Sequence, residues 1–389
     1  MVQEVLEMRP EPASKLRARD LGIPFDGMPG LLNAITDVQG VEVGHTTLIS
    51  GEGELRVGRG PVRTGVTAIL PRGKASLEPV FAGWFSLNGN GEMTGTTWVE
   101  ESGFLEGPVM ITNTHSVGVV RDSVIAWQIE TQRELRLNNF EGAFWSLPVV
   151  GETYDGYLND INGMHVRAEH VFAALDNARP GEVAEGSVGG GTGMICYQFK
   201  GGIGTASRKL SDAMGGYTVG VLAQCNFGLR HQLLVAGVPV GKEITEDLPG
   251  PAASSTAAGE TGSVIIVIAT DAPLLPHQLK RLARRAGMGL ARTGSIAGNS
   301  SGDIFIAFST ANPGATQGPT AQIEMLDNNS ISPLFEATVQ ATEETVINAL
   351  VAAETMVGRD NHRVACLPHG RLVEVMSKYN RLSEGERET

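Results

Sequence analysis

Six consecutive aliphatic residues, Val264–Ala269 (VIIVIA), form the most β-branched run in the chain. A strand apolar in both parities is covered on both faces, which places it at the centre of a buried sheet. The segment before it is its opposite. Residues 242–262 (KEITEDLPGPAASSTAAGETG) are built from Pro, Ala, Ser, Thr, Gly and acids, with little to bury, and read as an exposed linker. That linker enters the strand without a turn or a cap, and the first residue of the strand is Ser263. Taken alone, the junction is an ordinary boundary that ends in Gly-Ser. As chemistry, it is a hydroxyl fixed on a rigid strand beside a cleavable loop.

Composition narrows the setting. Glycine accounts for 50 of 389 residues, without a G-X-Y period, so the chain is loop-rich and globular rather than collagenous. Hydrophobic residues at 41% and charged residues at 19% supply a core and argue against disorder. A formal charge of −13 repels phosphate backbones, which makes nucleic acid a poor partner. Cys196, Cys225 and Cys366 are odd in number and form no CxxC, so neither a disulfide framework nor a zinc site is expected. The charged start MVQEVLEMRP lacks the apolar core of a secretory signal, and Val264–Ala269 is too short to span a bilayer. A cytoplasmic chain without membrane contact is expected.

The pattern along the chain alternates strands and helices. Residues 1–21 read as a flexible or surface-wrapping arm. Short strands are predicted in ITDVQGVEVGHTTLI, GVTAILP and PVMITNT, and helical spacing runs over Val117–Leu135. A second helix is predicted over Gly163–Asn177, stopped by Pro180 and Gly181. YTVGVLAQCNFG reads as a strand ending at Asn226, with Cys225 as inert packing. After the central strand, Asp271 is expected to cap a basic amphipathic helix, Pro276–Arg292. NSSGDIFIAFST is a further strand, and Ser332–Val357 a long helix with Ser332 as N-cap and Pro333 at the first helical position.

Familiar catalytic motifs fail. No GxGxxG with a correctly spaced acid, no GxxxxGK[ST] and no HExxH occurs. GNSSG (298–302) spells GxSxG but leads into a predicted strand rather than a helix, so it is no nucleophile elbow. His165 and His170 lie five apart, a poor spacing for shared metal ligation. A serine works without histidine when it becomes a chain N-terminus, or when another polar group takes its proton. Ser263 is placed for this. Its hydroxyl can attack the Gly262 carbonyl and shift the peptide to an ester that water opens, and glycine there tolerates a strained backbone at the attacked carbonyl.

TGSVIIVIATDAPLLPHQLKRLARRAGMGLART followed by NSSGDIFIAFST resembles the DmpA/BapA family of self-processing serine aminopeptidases. NGNGEMTGTTWVEESG, TNTHSVGVVRD, LPVVGETYDGYLNDINGMHV, GSVGGGTGM and AQCNFG are similar to that family's blocks in the same order, from roughly Gly22 to Arg371. The resemblance implies an α/β (α+β) fold, a four-layer αββα sandwich of the N-terminal nucleophile hydrolase type, related to ornithine acetyltransferase. It implies cleavage at Gly262–Ser263 into an α fragment (1–262) and a β fragment (263–389) that together form one catalytic domain. Ser263 is then the nucleophile, with Ser301 and Asp303 polarising it; the family acid can be glutamate, and aspartate here is shorter. Tyr154 and Asn226 match the oxyanion-binding positions, and Glu141 the carboxylate that holds the substrate amine. The implied activity is hydrolysis of N-terminal residues from short peptides, amides or esters, without metal or organic cofactor, by a homo-oligomer, a tetramer of αβ heterodimers. Two competing readings are an ornithine acetyltransferase-like acyl transferase, which cleaves itself before threonine, and a catalytically silent binding protein of the same fold.

Overall fold

The computed structural model describes residues 15–76, 78–135, 144–250 and 261–383. From the N-terminal side the main elements are β1 (Glu42–Ser50), β2 (Val62–Leu70), β3 (Val80–Gly89), α1 (Thr96–Ser102), β4 (Phe104–Leu105), β5 (Val109–Asn113) and α2 (Val117–Leu135). There follow β6 (Val149–Thr153), α3 (Ala168–Asp176), β7 (Ile195–Cys196), β8 (Phe199–Lys200), β9 (Gly202–Lys209), β10 (Thr218–Asn226) and α4 (Val240–Glu243). The last part contributes β11 (Thr261–Thr270), α5 (Pro276–Arg292), β12 (Ser300–Ser309), α6 (Ser332–Val351) and α7 (His369–Lys378).

Two sheets carry the molecule. One has the order β1-β2-β5-β6 and the other β4-β3-β12-β11-β10-β9. Neighbours are antiparallel except β5–β6 and β11–β12, and each of these parallel pairs is joined through a helix, α2 and α5 respectively. The sheets face each other through a dry layer in which Ile69, Val109 and Ile111 meet Leu222, Ile265, Val267 and Ile306. Leu279, Leu282 and Ala286 of α5 and Ile347 and Leu350 of α6 cover the outer face of the larger sheet. Val120 and Val124 of α2 with Val171 and Leu175 of α3 cover the outer face of the smaller one. The layers run helix, sheet, sheet, helix, which is the αββα arrangement expected.

The VIIVIA run behaves as its pattern requires. Odd residues of β11 enter the layer between the sheets, and even residues face the helices. Strands β10 and β12, and helices α2 and α5, occupy the predicted segments. Helix α3 is shorter than predicted, because Met164 has a left-handed backbone (φ 53°) that breaks the helix before Ala168. His165 therefore lies on a loop and bonds Asp160 at 2.8 Å, so it shares no helix with His170. Helix α6 stops at Val351 rather than Val357, and the carbonyl of Ala352 just past its end is taken by Lys15 at 3.1 Å. Ser332 is already helical and forms no cap; Ile331 holds the cap position. Asp271 does not cap α5: its carboxylate accepts the Thr218 N–H at 2.7 Å and holds the start of β10.

From residue 15 the N-terminal arm is tied to the body. Ala18 is fully buried, Arg17 pairs with Glu185 at 2.7 Å, and Arg19 pairs with Glu344 at 2.8 Å. Of the linker 242–262, residues 251–260 lie outside the described residues, as does Glu141.

Candidate active site

Ser263 is the third residue of β11 and is buried. Its side chain points into the layer between the two sheets, the same side as Ile265. On one flank it lies opposite Asn226, the last residue of β10, and on the other opposite Gly302 of β12. The hydroxyl donates to the carbonyl oxygen of Gly262 at 2.6 Å and accepts the Gly302 N–H at 3.2 Å. The nucleophile candidate is thus held within bonding reach of the peptide group it would attack, with a main-chain donor fixed on its oxygen.

Two glycines make this approach feasible. A Cβ on Gly302 would lie within 2.7 Å of Gly91 Cα and would also collide with the Asn90 carbonyl, so the 89–91 loop could not close over the nucleophile. A Cβ on Gly262 would sit 2.7 Å from Phe227 Cα and would press into the Asn226 carbonyl. Gly262 is not in the left-handed region. Its role is close packing against the end of β10, and not the backbone strain expected from sequence.

Ser301 and Asp303 form the expected pair: the Ser301 hydroxyl donates to Asp303 Oδ1 at 2.7 Å, and both are buried. Strand alternation turns them toward the helix side of the sheet, away from the Ser263 hydroxyl. In the register Ser301 stands beside Gly262 and Asp303 beside Val264, so the pair flanks the main chain at the Gly262–Ser263 bond. Proximity to the nucleophile's nitrogen, not to its oxygen, is what the geometry provides.

Asn226 has the same facing as Ser263. Its Oδ1 accepts the Ile195 N–H at 2.8 Å and its Nδ2 donates to the Tyr154 carbonyl at 2.9 Å, so both ends of the carboxamide are fixed by main chain. What binds Asn226 is the backbone of Tyr154. Tyr154 as a residue is 52% exposed, and its phenol folds over Gly156. The next residue, Asp155, is buried under hydrogen bonds from Asn113 and Asn159, each at 3.0 Å. Burial pushes its carboxyl up to about 6, against the lowering effect of those bonds and one from Thr64.

A second carboxylate escaped the sequence reading. Glu152, on β6, is buried and accepts the Glu92 N–H at 2.9 Å and the Thr114 hydroxyl. Gly91 is wedged between it and the nucleophile's neighbour: a Cβ there would lie 3.3 Å from Glu152 Oε1 and 3.1 Å from Gly302 Cα. Burial raises its pKa, with the two hydrogen bonds opposing. The signal available was an acid near the end of a strand in the segment GETYDG, two residues before Tyr154. Its closeness to Gly302 comes only from the 89–92 loop.

Elsewhere, a cleft of about 440 Å³ lined by Arg72, Trp127, Phe144 and Trp145 opens at the Pro108 end of β5, the far end of that strand from Asn113 and from Ser263. Among the described residues, no three His, Cys, Asp or Glu side chains group as a metal site, and no helix is long and apolar enough to cross a membrane.

A family model for peptidase family S58 matches residues 33–364. The chain belongs to this family. The β-peptidyl aminopeptidase BapA of Sphingosinicella microcystinivorans is 55% identical over 377 residues, covering 94% of this chain and 93% of its own. BapA of Sphingosinicella xenopeptidilytica is 52% identical over 370 residues, covering 92% and 90%. Among solved structures, the L-aminopeptidase D-Ala-esterase/amidase from Ochrobactrum anthropi superposes with a TM-score of 0.86 at 48% identity, covering 94% of this chain and 99% of its own. That protein is described as a prototype for the serine aminopeptidases and a variant of the Ntn hydrolase fold. Family S58 membership and this likeness establish a peptidase on an N-terminal nucleophile hydrolase fold, as the resemblance implied.

Proposed function

We propose that the chain is a self-processing serine aminopeptidase and amidase that removes N-terminal residues from short peptides, amides or esters through an acyl-enzyme on Ser263. The observation that carries this reading is the Ser263 hydroxyl, 2.6 Å from the carbonyl oxygen of Gly262 and aligned with Asn226 across the strand pair. In processing, the Ser263 Oγ bonds to the Gly262 carbonyl carbon and the C–N bond breaks. The resulting ester is hydrolysed, leaving a Gly262 carboxylate and a free Ser263 amine and hydroxyl. In turnover that amine is the general base, placed on the side of the chain where Ser301 and Asp303 stand. Asn226 donates to the developing oxyanion, with the Tyr154 phenol as a second donor when it swings inward from Gly156.

An aminopeptidase also needs an anion for the substrate ammonium. Glu152, buried beside the Gly91–Gly302 contact, supplies it among the described residues. The relatives' names span β-peptidyl, L-aminoacyl and D-Ala substrates. A panel of L-Ala, D-Ala and β-Ala amides sorts these for the present chain. We further propose a cytoplasmic tetramer of αβ heterodimers acting on small substrates, which native mass spectrometry and cell fractionation test. The central test is Ser263→Ala. The wild type is expected to run as two bands, the smaller beginning at Ser263, and to hydrolyse aminoacyl p-nitroanilides; the variant is expected as one band of 389 residues without activity. A variant that still fragments and turns over substrate overturns the reading.

A further inference from the structure

Lys200 ends β8 with its side chain fully buried. Its ammonium donates to three main-chain carbonyls: Met194 at 2.8 Å, Gly201 at 2.8 Å and Gly191 at 3.4 Å. Three carbonyls match the three N–H donors of a lysine, so the site is built for this group. A buried ammonium is costly, and an apolar side chain would fill the space without that cost. The Met194 carbonyl belongs to the same peptide group as the Ile195 N–H, and that N–H is the donor that fixes Asn226 Oδ1 at 2.8 Å. A positive charge on the oxygen end of an amide draws electron density toward it and makes the N–H a stronger donor. The Asn226 carboxamide is polarised in turn, and its Nδ2 hydrogens become better donors. One of these meets the Tyr154 carbonyl, which leaves the second for the carbonyl under attack.

We propose that Lys200 is a positioning residue for the oxyanion donor: through the Met194–Ile195 peptide, its charge orients Asn226 and strengthens its hydrogen bond to the transition state. The proposal rests on the assignment of Asn226 to the oxyanion. Burial, with Lys15 acting in the same sense, pulls Lys200 down to about 7, while Cys196 and Asp155 act in the opposite sense. These three reach it from different parts of the chain: Lys15 from the N-terminal arm, itself paired with Glu354 at 3.1 Å, Cys196 from β7, and Asp155 from the loop after β6. The charge is lost as pH rises through this range, so kcat acquires a descending alkaline limb. The Ser263 amine gives a limb of opposite sign, rising with pH as the base loses its proton.

The test is kcat against pH for the processed wild type, Lys200→Met, Asn226→Ala and the double variant, with melting temperatures recorded for each. The expected result is a roughly tenfold or greater fall in kcat at pH 6 for Lys200→Met, with KM within about threefold and the alkaline limb gone. In the Asn226→Ala background, the lysine substitution should change kcat by less than about twofold. An equal fall in both backgrounds assigns Lys200 to general stability and overturns the proposal. If Asn226→Ala leaves kcat intact, the oxyanion assignment falls, and the proposal with it. Where Lys200→Met does not fold, wild type and Asn226→Ala still decide: the proposal requires the alkaline limb in the first and its absence in the second, and a limb shared by both overturns it.

Discussion

Glu152 shows what a single buried charge does at a site of this kind. In the proposed reading its carboxylate holds the substrate amine, and a charge-assisted hydrogen bond contributes about 1.5–3 kcal/mol. Glu152→Gln is therefore expected to raise KM about 10- to 100-fold while kcat changes little, measured on an aminoacyl p-nitroanilide. Because burial holds this carboxyl above its ordinary range, kcat/KM of the wild type should fall with pH already in that raised range, and the variant should lose this step. Two further residues set how stability follows pH, with opposite signs. Burial, then Arg179, pull His45 down to about 4; its contribution is present above the unfolded value near 6.5 and lost as pH falls through 4. Burial pushes Asp155 up to about 6; its contribution is present below the ordinary value of 3.8 and lost as pH rises through 6. Each amounts to about 3 kcal/mol, so the two largely cancel between pH 4 and 6. Denaturant titrations should show the wild type losing stability relative to His45→Gln as pH falls from 6.5 to 4, and relative to Asp155→Asn as pH rises over nearly the same interval. Slopes of equal sign would refute the assignment. Ser263 could be proposed from sequence because it stands at a junction, and Ser301 and Asp303 because they match the family's blocks, with a strand spacing that puts both on one side. Glu152 could not, because a loop some sixty residues away brings it to the site.

At the scale of elements, period and composition located β10, β11, β12, α2 and α5, where the apolar pattern is strong and Pro276 or the linker marks an edge. Helix α3 was overextended at its start, where Met164 turns left-handed, and α6 at its end, which no Gly or Pro marks and where a tertiary contact, Lys15 on the Ala352 carbonyl, sits. Tertiary contacts also account for the buried polar stripe of α6. Glu344 is fully buried there, paired with Arg19 at 2.8 Å and Arg208 at 2.7 Å and bonded by Asn33 at 2.6 Å. Burial alone would raise its carboxyl, but the two guanidinium groups outweigh that and hold it low. Nothing near residue 344 in the sequence announces partners from the N-terminal arm and from β9. Glu344→Gln leaves Arg208, itself buried, without its counter-charge, and is expected to cost about 3–5 kcal/mol of stability in chemical denaturation. A cost below about 1 kcal/mol would mean that the arm is docked by apolar contacts such as Ala18 rather than by this ion cluster.

For the whole molecule, the strand order decides what a cut at Gly262–Ser263 can do. Strands β11 and β12 come from the proposed β fragment, yet their neighbours β10 and β3 come from the α fragment on either side. The outer layer mixes them again, since α6 of the β fragment packs on β9 and β10 of the α fragment. No boundary in the core separates one fragment from the other. In the proposed reading, processing removes one covalent bond near the start of a central strand and leaves the hydrogen-bond ladders and the three apolar layers intact, while it frees the amine that the chemistry requires. The two fragments are expected to co-elute in size-exclusion chromatography and to unfold together, with one transition seen by far-ultraviolet circular dichroism and by tryptophan fluorescence. Because the cut turns one unfolded chain into two, the processed protein should also refold more slowly on dilution of the denatured fragments, and the rate should depend on concentration. Separate transitions for the two fragments would show that they form distinct domains, and would contradict the interleaved sheet that brings Ser263 and Asn226 face to face.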